Sequence, residues 1–421
     1  MPPTRPCRCP QLDDTQRNEG DKGIARYSAE VTEIATRLSF PASTQEGHPQ
    51  SLSRGAVGVA LLHVERAASG VGDWETAHRW LTAAATAMPI STGPQAGLLF
   101  GAPALAFTLH AAADRPGRYE RALASLDTQL DAITRRHLDR AHERIDCGRQ
   151  PHPKEFDLFR GLTGLGAHLL RRNPGGDLIR QVLAYLVRLS EDLDAQELPG
   201  WWVDCPPTGG RTTDRLGGHG DFGMAHGISA PLTLLSLAAR RGIVVDGQVA
   251  AIGKICSWTD AWLQEGESGP WWPETVTVDE VARGRPEQKR PRRPSWCYGT
   301  PGIARAQQLA GLATADLARQ RMAESALLGC LNDPDQTRLI NDHSLCHGSA
   351  GLFQTVWRFA RDADHGDLTH WPQKLADRFL ARRVQNMEIG LLFGSAGLGL
   401  ALTTAAGHPP VSSWDSCLLL N

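Results

Sequence analysis

"CHGSAGLFQTVWRFA", residues 346–360, opens with a cysteine and a histidine, steps through two glycines three residues apart, and enters an apolar run. The run lacks the alternation of a strand and carries few charges, so it predicts a mostly buried helix. Six more versions of the frame follow or precede it: "SRGAVGVALL", "LFGAPALAF", "FRGLTGLGAHLL", "AHGISAPLTLLSLA", "CYGTPGIARAQQLA" and "LFGSAGLGLALTTA". The leading glycines are Gly55, Gly101, Gly161, Gly227, Gly299, Gly348 and Gly394, at intervals of 46 to 72 residues. Three residues after each comes a second small residue: Gly58, Ala104, Gly164, Ala230, Gly302, Gly351 or Gly397. Such a repeat defines the architecture before any single residue does.

Small residues at this spacing leave one face of the first helical turn bare, which predicts close approach of neighbouring backbones. The shortest interval holds two helices of ordinary length and their connections. The unit is therefore a helical hairpin, one helix inner and one outer. Amphipathic runs such as "DWETAHRWLTAAATAM" (73–88) and "GDLIRQVLAYLVRLSEDL" (176–193) supply outer helices. Seven hairpins stack as an open solenoid or close as an α/α toroid, and periodicity alone leaves both open. The longer intervals hold insertions at about 201–222 and 264–294, the second with "GPWWPETVTV" as short extended structure. Residues 283–293 carry six Lys or Arg against one Glu, either a solvated loop or a contact for an acidic or peptidic partner.

Composition bounds the rest. The chain of 421 residues has a formal charge of −2, which argues against a nucleic-acid binder. Nine cysteines without regular spacing predict no disulfide framework and a reducing, cytoplasmic setting. Residues 1–25 lack the apolar core of an export signal and are expected to be a disordered tail, with residues 26–421 as one domain. Residues 389–406 imitate a membrane span, but sister stretches recur, so a buried helix and no transmembrane segment are expected.

The two residues before each leading glycine carry the chemistry. They are Ser53-Arg54, Leu99-Phe100 and Phe159-Arg160 in the first three repeats, and Leu392-Phe393 in the last. In repeats four to six they are Ala225-His226, Cys297-Tyr298 and Cys346-His347. Metal-binding and acid–base groups thus fall at one structural position in three consecutive repeats. Two thiolates and an imidazole suit zinc, and three protein ligands with an open fourth position is the catalytic pattern. One zinc per chain, on Cys297, Cys346 and His347, is expected. Cys205 and His219 are loop residues or a second metal site. Cys7 and Cys9 are an accidental pair in the tail or a metal pair. Cys147, Cys256 and Cys330 suit helix or core positions, and His343 lies beside the site or on the surface.

At this point the chain resembles the lanthionine synthetase C-like family. The marks are "MAHGISAPL" (224–232), "WCYGTPG" (296–302), "LCHGSAG" (345–351) and "SWDSCLLL" (413–420), in that order on seven repeats. The resemblance covers nearly everything after residue 45. It implies an all-α toroid of seven inner and seven outer helices, with a central zinc on Cys297, Cys346 and His347. It implies a cyclase that adds peptide cysteines to dehydroalanine or dehydrobutyrine, forming lanthionine and methyllanthionine thioethers. His226 matches an acid/base histidine, Asp157 its acidic partner, and Arg293 and Tyr298 two further active-site positions. A dehydrated precursor peptide with its leader is the implied substrate. No phosphate-binding loop precedes a lysine, so a separate dehydratase is an implied partner, in a biosynthetic complex with an exporter at the membrane. Relatives that act on glutathione share the zinc set, and an idle zinc-containing toroid that binds a peptide is the remaining alternative.

Overall fold

A computed structural model describes residues 14–41, 49–193, 198–206, 217–364, 366–381 and 387–421. Each repeat places its apolar run in an inner helix: Ala56–Ala68, Ala102–Ala112, Leu162–Arg172, Ser229–Arg240, Thr300–Thr314, Ser349–Asp362 and Ser395–Ala405. Successive inner helices pack on one another, and Ser395–Ala405 packs back on Ala56–Ala68, so the stack closes. The fold is an α/α toroid. Six outer helices follow their inner partners: Trp74–Thr86, Glu120–Asp146, Asp177–Leu189, Gln248–Ala261, Leu317–Asn332 and Trp371–Ala381. The seventh comes from the other end of the chain. Asp14–Arg37 packs on Ser395–Ala405 and completes the last repeat.

This corrects the expected tail. Residues 1–13 lie outside the described residues, but the chain is helical from Asp14, well before residue 25. Tyr27, Val31 and Ile34 turn one face of that helix into the core, and Tyr27 Oη donates to Asp377 Oδ1 at 2.5 Å.

At Gly58 a methyl would sit 2.6 Å from the backbone nitrogen of Leu391 in the neighbouring repeat, as expected, but the nearest atom at these glycines is another one. A methyl group at Gly302 would sit 2.0 Å from the carbonyl oxygen of Trp296, six residues earlier in the same repeat. At Gly164, Gly351 and Gly397 the equivalent distances are 2.0 Å, 2.0 Å and 1.9 Å, to Leu158, Leu345 and Leu391. In the five repeats with glycine there, the closest approach is between the inner helix and its own entry loop, which doubles back over the first turn.

That doubling back lines the loops up for a second contact. Each donates a backbone N–H to the loop of the next repeat. Leu52 donates to Leu99 (2.9 Å), Leu99 to Phe159 (3.4 Å), Leu158 to Ala225 (3.3 Å) and Ala225 to Cys297 (3.2 Å). Cys297 donates to Cys346 (3.2 Å), Cys346 to Leu392 (3.1 Å), and Leu392 to Ser53 (2.9 Å). All seven acceptors stand two residues before a leading glycine. The belt runs in one direction around the ring and has no open end. Each bond contributes on the order of 1 kcal/mol, and together they fix the height of every entry loop.

The insertions meet at the edge of this belt. Strand His219–Asp221 pairs antiparallel with Thr275–Thr277, and Gln264–Gly266 with Gly269–Trp271, as the extended reading of the second insertion expects. The span-like stretch near the C-terminus is the eleven-residue inner helix Ser395–Ala405, and no described helix is long and apolar enough to cross a membrane. The final segment plugs the ring from beneath. Trp414, Cys417, Leu418 and Leu420 are buried. Asp415 pairs with Arg358 at 2.6 Å and 2.7 Å, and Trp296 Nε1 donates to the Leu418 carbonyl at 3.0 Å.

Candidate active site

The belt turns the residue before each leading glycine toward the open mouth of the ring. Phe100, Arg160, His226, Tyr298, His347 and Phe393 are all half-buried, and Arg54 is exposed. One residue further back, Cys297 and Cys346 are buried. The ligating atoms of Cys297, Cys346 and His347 lie within 4.8 Å of one another, the one such cluster among the described residues. Two sulfurs and an imidazole nitrogen match the donor preference of zinc, and three donors leave a position for a substrate. A bond from Cys346, with further bonds to His347 and Ser295, holds the Cys297 thiol well below its usual range. The same bond and burial push Cys346 well above it. The pair thus readily holds one negative charge, and a divalent cation is what would let it hold two.

His226 stands on the neighbouring repeat. Its Nδ1 lies 2.7 Å from Asp157 Oδ2. The carboxylate is 1% exposed and the imidazole 20%, so the pair is anchored inward and open on one side. Asp157 also has a local task. Its Oδ1 accepts from the backbone N–H groups of Arg160 (2.7 Å) and Gly161 (2.8 Å). Ser51, Ser295 and Ser344 stand at the same place in other repeats, and their hydroxyls accept from the same turn. One oxygen therefore performs a structural duty of the repeat, and the other is free to orient the histidine. Phe159 packs 4.6 Å from the His226 ring centre, and Tyr298 lies 6.4 Å away.

Tyr298 Oη donates to Asp221 Oδ2 at 3.1 Å. Burial, then the Asp221 charge, pushes the phenol far above its usual range. Arg293 is half-buried, and its positive charge favours the Cys346 thiolate. It stands six residues before Gly299. At that position other repeats carry Asp221, Asp342 and Glu388, which face Tyr298, His347 and Arg54. Asp342 Oδ2 lies 3.5 Å from His347 Nε2. Asp221 and Asp342 escape a reading confined to the two residues before each glycine. Aligning the repeats six residues upstream exposes both.

The other candidates separate. His219 is buried in its strand, and neither it nor Cys205 belongs to a ligand cluster among the described residues. Burial pushes the Cys205 thiol up to about 11. His343 Nδ1 lies 2.6 Å from Ser349 Oγ, inside the protein. Cys256 and Cys330 are buried and Cys147 is exposed, while Cys7 and Cys9 lie outside the described residues. In the basic loop, Arg283 and Arg292 pair with Glu287 and Glu274.

Residues 46–419 match the family model of lanthionine synthetase C-like proteins. The chain belongs to that family. Among curated relatives, the nisin biosynthesis protein NisC of Lactococcus lactis subsp. lactis is 22% identical over 333 residues, 77% of each protein. Among solved structures, nisin cyclase superposes with a TM-score of 0.76 at 20% identity, covering 97% of this chain and 98% of that one. The family's toroid accounts for the closed belt, and its name directs attention to the mouth of the ring.

Proposed function

We propose that this protein is a zinc-dependent, thioether-forming lanthipeptide cyclase, with residues 26–421 and the preceding part of the first helix as one catalytic unit. Its substrate is a dehydrated precursor peptide. The observation that carries the reading is the adjacency, on neighbouring repeats, of the Cys297–Cys346–His347 cluster and the His226–Asp157 pair.

Cys297, Cys346 and His347 would hold the metal, which supplies a Lewis acid that lowers the pKa of a substrate thiol. The chain's own residues govern the proton. Asp157 holds His226 by Nδ1, so Nε2 faces the open side. Addition of the thiolate to the β-carbon of the dehydroamino acid forms the C–S bond and leaves an enolate. A proton from His226 to the α-carbon completes the change. The net reaction is an isomerisation, in which S–H and C=C are lost and C–S and C–H are gained. Arg293, beside the thiolates, favours negative charge there. Tyr298 keeps its proton, donates a hydrogen bond to Asp221 and flanks His226 as a positioning group. Phe393, Arg54, Phe100 and Arg160 form the wall on which the peptide rests.

A separate dehydratase supplies the dehydroamino acids, and the enzyme works in the cytoplasm, in a complex with the peptide's exporter. The test is incubation of zinc-loaded protein with a dehydrated precursor peptide. Mass stays constant, so free thiols are counted by alkylation. The expected result is their stepwise loss; full retention of alkylatable thiols over repeated turnovers rejects the reading and favours an idle peptide-binding toroid.

A further inference from the structure

The metal cluster sits where the inner helices begin. Where they end, about 16 Å away along eleven-residue helices, the ring carries a second cavity of about 610 Å³. Arg171, Arg180, Arg241 and His110 line it, with Ser413, Ser416 and Asn421 of the C-terminal segment. No Asp or Glu side chain is among the lining residues. We propose that this cavity is a binding site for a phosphate-bearing small molecule, gripped by Arg171, Arg180 and Arg241.

The three guanidinium groups are positioned without being neutralised. Arg171 Nη2 donates to the Ser412 carbonyl at 2.8 Å, and its guanidinium lies 4.6 Å from the Phe107 ring centre. Arg241 Nη1 donates to the Leu170 carbonyl at 3.3 Å, and Arg180 Nη1 to the Val244 carbonyl at 3.2 Å. Backbone carbonyls fix each group but cancel no charge. Among the described residues, none of the three forms an ion pair with an Asp or Glu side chain. Asp415 is near Arg171, but Arg358 and Gln354 already occupy its two oxygens.

An adjoining recess gives the contrast. It shares His110, but two of its three arginines are paired, Arg118 with Asp114 at 3.0 Å and Arg172 with Asp127 at 2.7 Å, and Glu120 joins Asp114 in the lining beside the third, Arg115. Charge is thus balanced on one side of His110 and left over on the other. Inside, His168 is fully buried, and both ring nitrogens lack a partner, as does Arg171 Nη1. Burial, with Arg241 as a like charge, brings Arg171 down to about 10. Burial, then Arg171 and Arg172, brings His110 down to about 4. A dianion in the cavity would relieve this crowding of cations. Several guanidinium forks match the oxygens of phosphate better than one carboxylate does. The volume exceeds that of inorganic phosphate and leaves room for an organic part.

The probes are inorganic phosphate, pyrophosphate and a mononucleotide, titrated calorimetrically into zinc-loaded full-length protein at constant ionic strength. Arg180→Gln/Arg241→Gln is the variant of choice, because both side chains are exposed and neither touches the metal cluster. Saturable one-to-one binding of at least one probe, weakened roughly tenfold or more in the variant, is expected. Tighter binding of the mononucleotide than of pyrophosphate identifies an organic phosphate, and the reverse identifies a free one. Zinc content and basal cyclisation stay unchanged in the variant, so this test fails or succeeds independently of the cyclase reading. Absence of saturable binding at millimolar concentration overturns the proposal. So does binding that the variant leaves intact, or binding seen only with anionic phospholipid vesicles.

Discussion

Around the mouth of the ring, repeats four to six present His226, Tyr298 and His347, while repeats seven, one, two and three present Phe393, Arg54, Phe100 and Arg160. The backbone beneath them is one continuous belt of hydrogen bonds. The difference lies in two residues per repeat. One half of the rim holds groups that ionise or coordinate. The other half holds a cation stacked on an aromatic ring, with Arg54 at 4.4 Å from the Phe393 ring centre. The comparison teaches that the frame and the chemistry are separable. The glycines dictate where a side chain stands, and the residue in front of them decides whether it reacts or merely grips.

The hardest way to break the reactive half is to remove a ligand. Cys297→Ala or Cys346→Ala should take bound zinc from about one per chain to near zero and abolish cyclisation. Retention of full zinc in either variant, measured by elemental analysis, would mean that the metal is held elsewhere. The helices should persist by circular dichroism, since the hairpins keep their core without a metal.

A smaller effect separates the two duties of Asp157. His226→Ala should keep zinc and slow cyclisation by ~100- to 10,000-fold. Asp157→Asn keeps an oxygen for the Arg160 and Gly161 N–H groups, so it should slow the reaction less and leave stability nearly intact. Asp157→Ala strands those buried donors and should also cost about 1–3 kcal/mol in denaturant unfolding. If Asn and Ala were equally destabilised, the claim that one oxygen serves the turn and the other the histidine would fail.

The gripping half should answer most mildly. Phe393→Ala and Arg54→Gln should raise KM for the peptide by about 3- to 10-fold with kcat unchanged, the signature of uniform binding. A fall in kcat equal to that of His226→Ala would erase the distinction between the two halves of the rim.

Much of this arrangement is legible in the sequence, for a definite reason. Gly58, Gly164, Gly302, Gly351 and Gly397 cannot gain a methyl without striking their own loop, and Ala104 and Ala230 are the smallest alternatives, so the frame shows as a repeat of small residues. The repeat then puts Cys297, Cys346 and His347 in register, which distant cysteines alone never do. Asp157 is less legible. It occupies a place that serine fills in three other repeats, so its register announces only the structural half of its work. Position six before the glycine is occupied by Pro49, Gln95, Glu155, Asp221, Arg293, Asp342 and Glu388. So varied a column is easy to pass over, and its charged members stand out only once the repeats are aligned six residues upstream. Closure of the ring is illegible for another reason: it is the sum of seven rotations, and no local pattern records a sum. Nor does the run from Asp14 to Ala25 look helical by periodicity, because its apolar face begins only around Ile24 and Tyr27.

That first helix has a consequence for how the protein is made. Its covering partner, Ser395–Ala405, and the Asp377 that Tyr27 binds lie some 350 residues downstream. At roughly 5–20 residues per second, a ribosome needs about 20–70 s to deliver them. During that interval the first helix has only the early hairpin, through His63 and Trp80 at Leu38, and lacks Asp377 and Ser395–Ala405. The nascent protein carries its unfinished seam until Ser395–Ala405 has been made. A chaperone that bound this helix would be released by the last hairpin to emerge, and a ribosome stalled near the C-terminus would leave a ring that cannot shut.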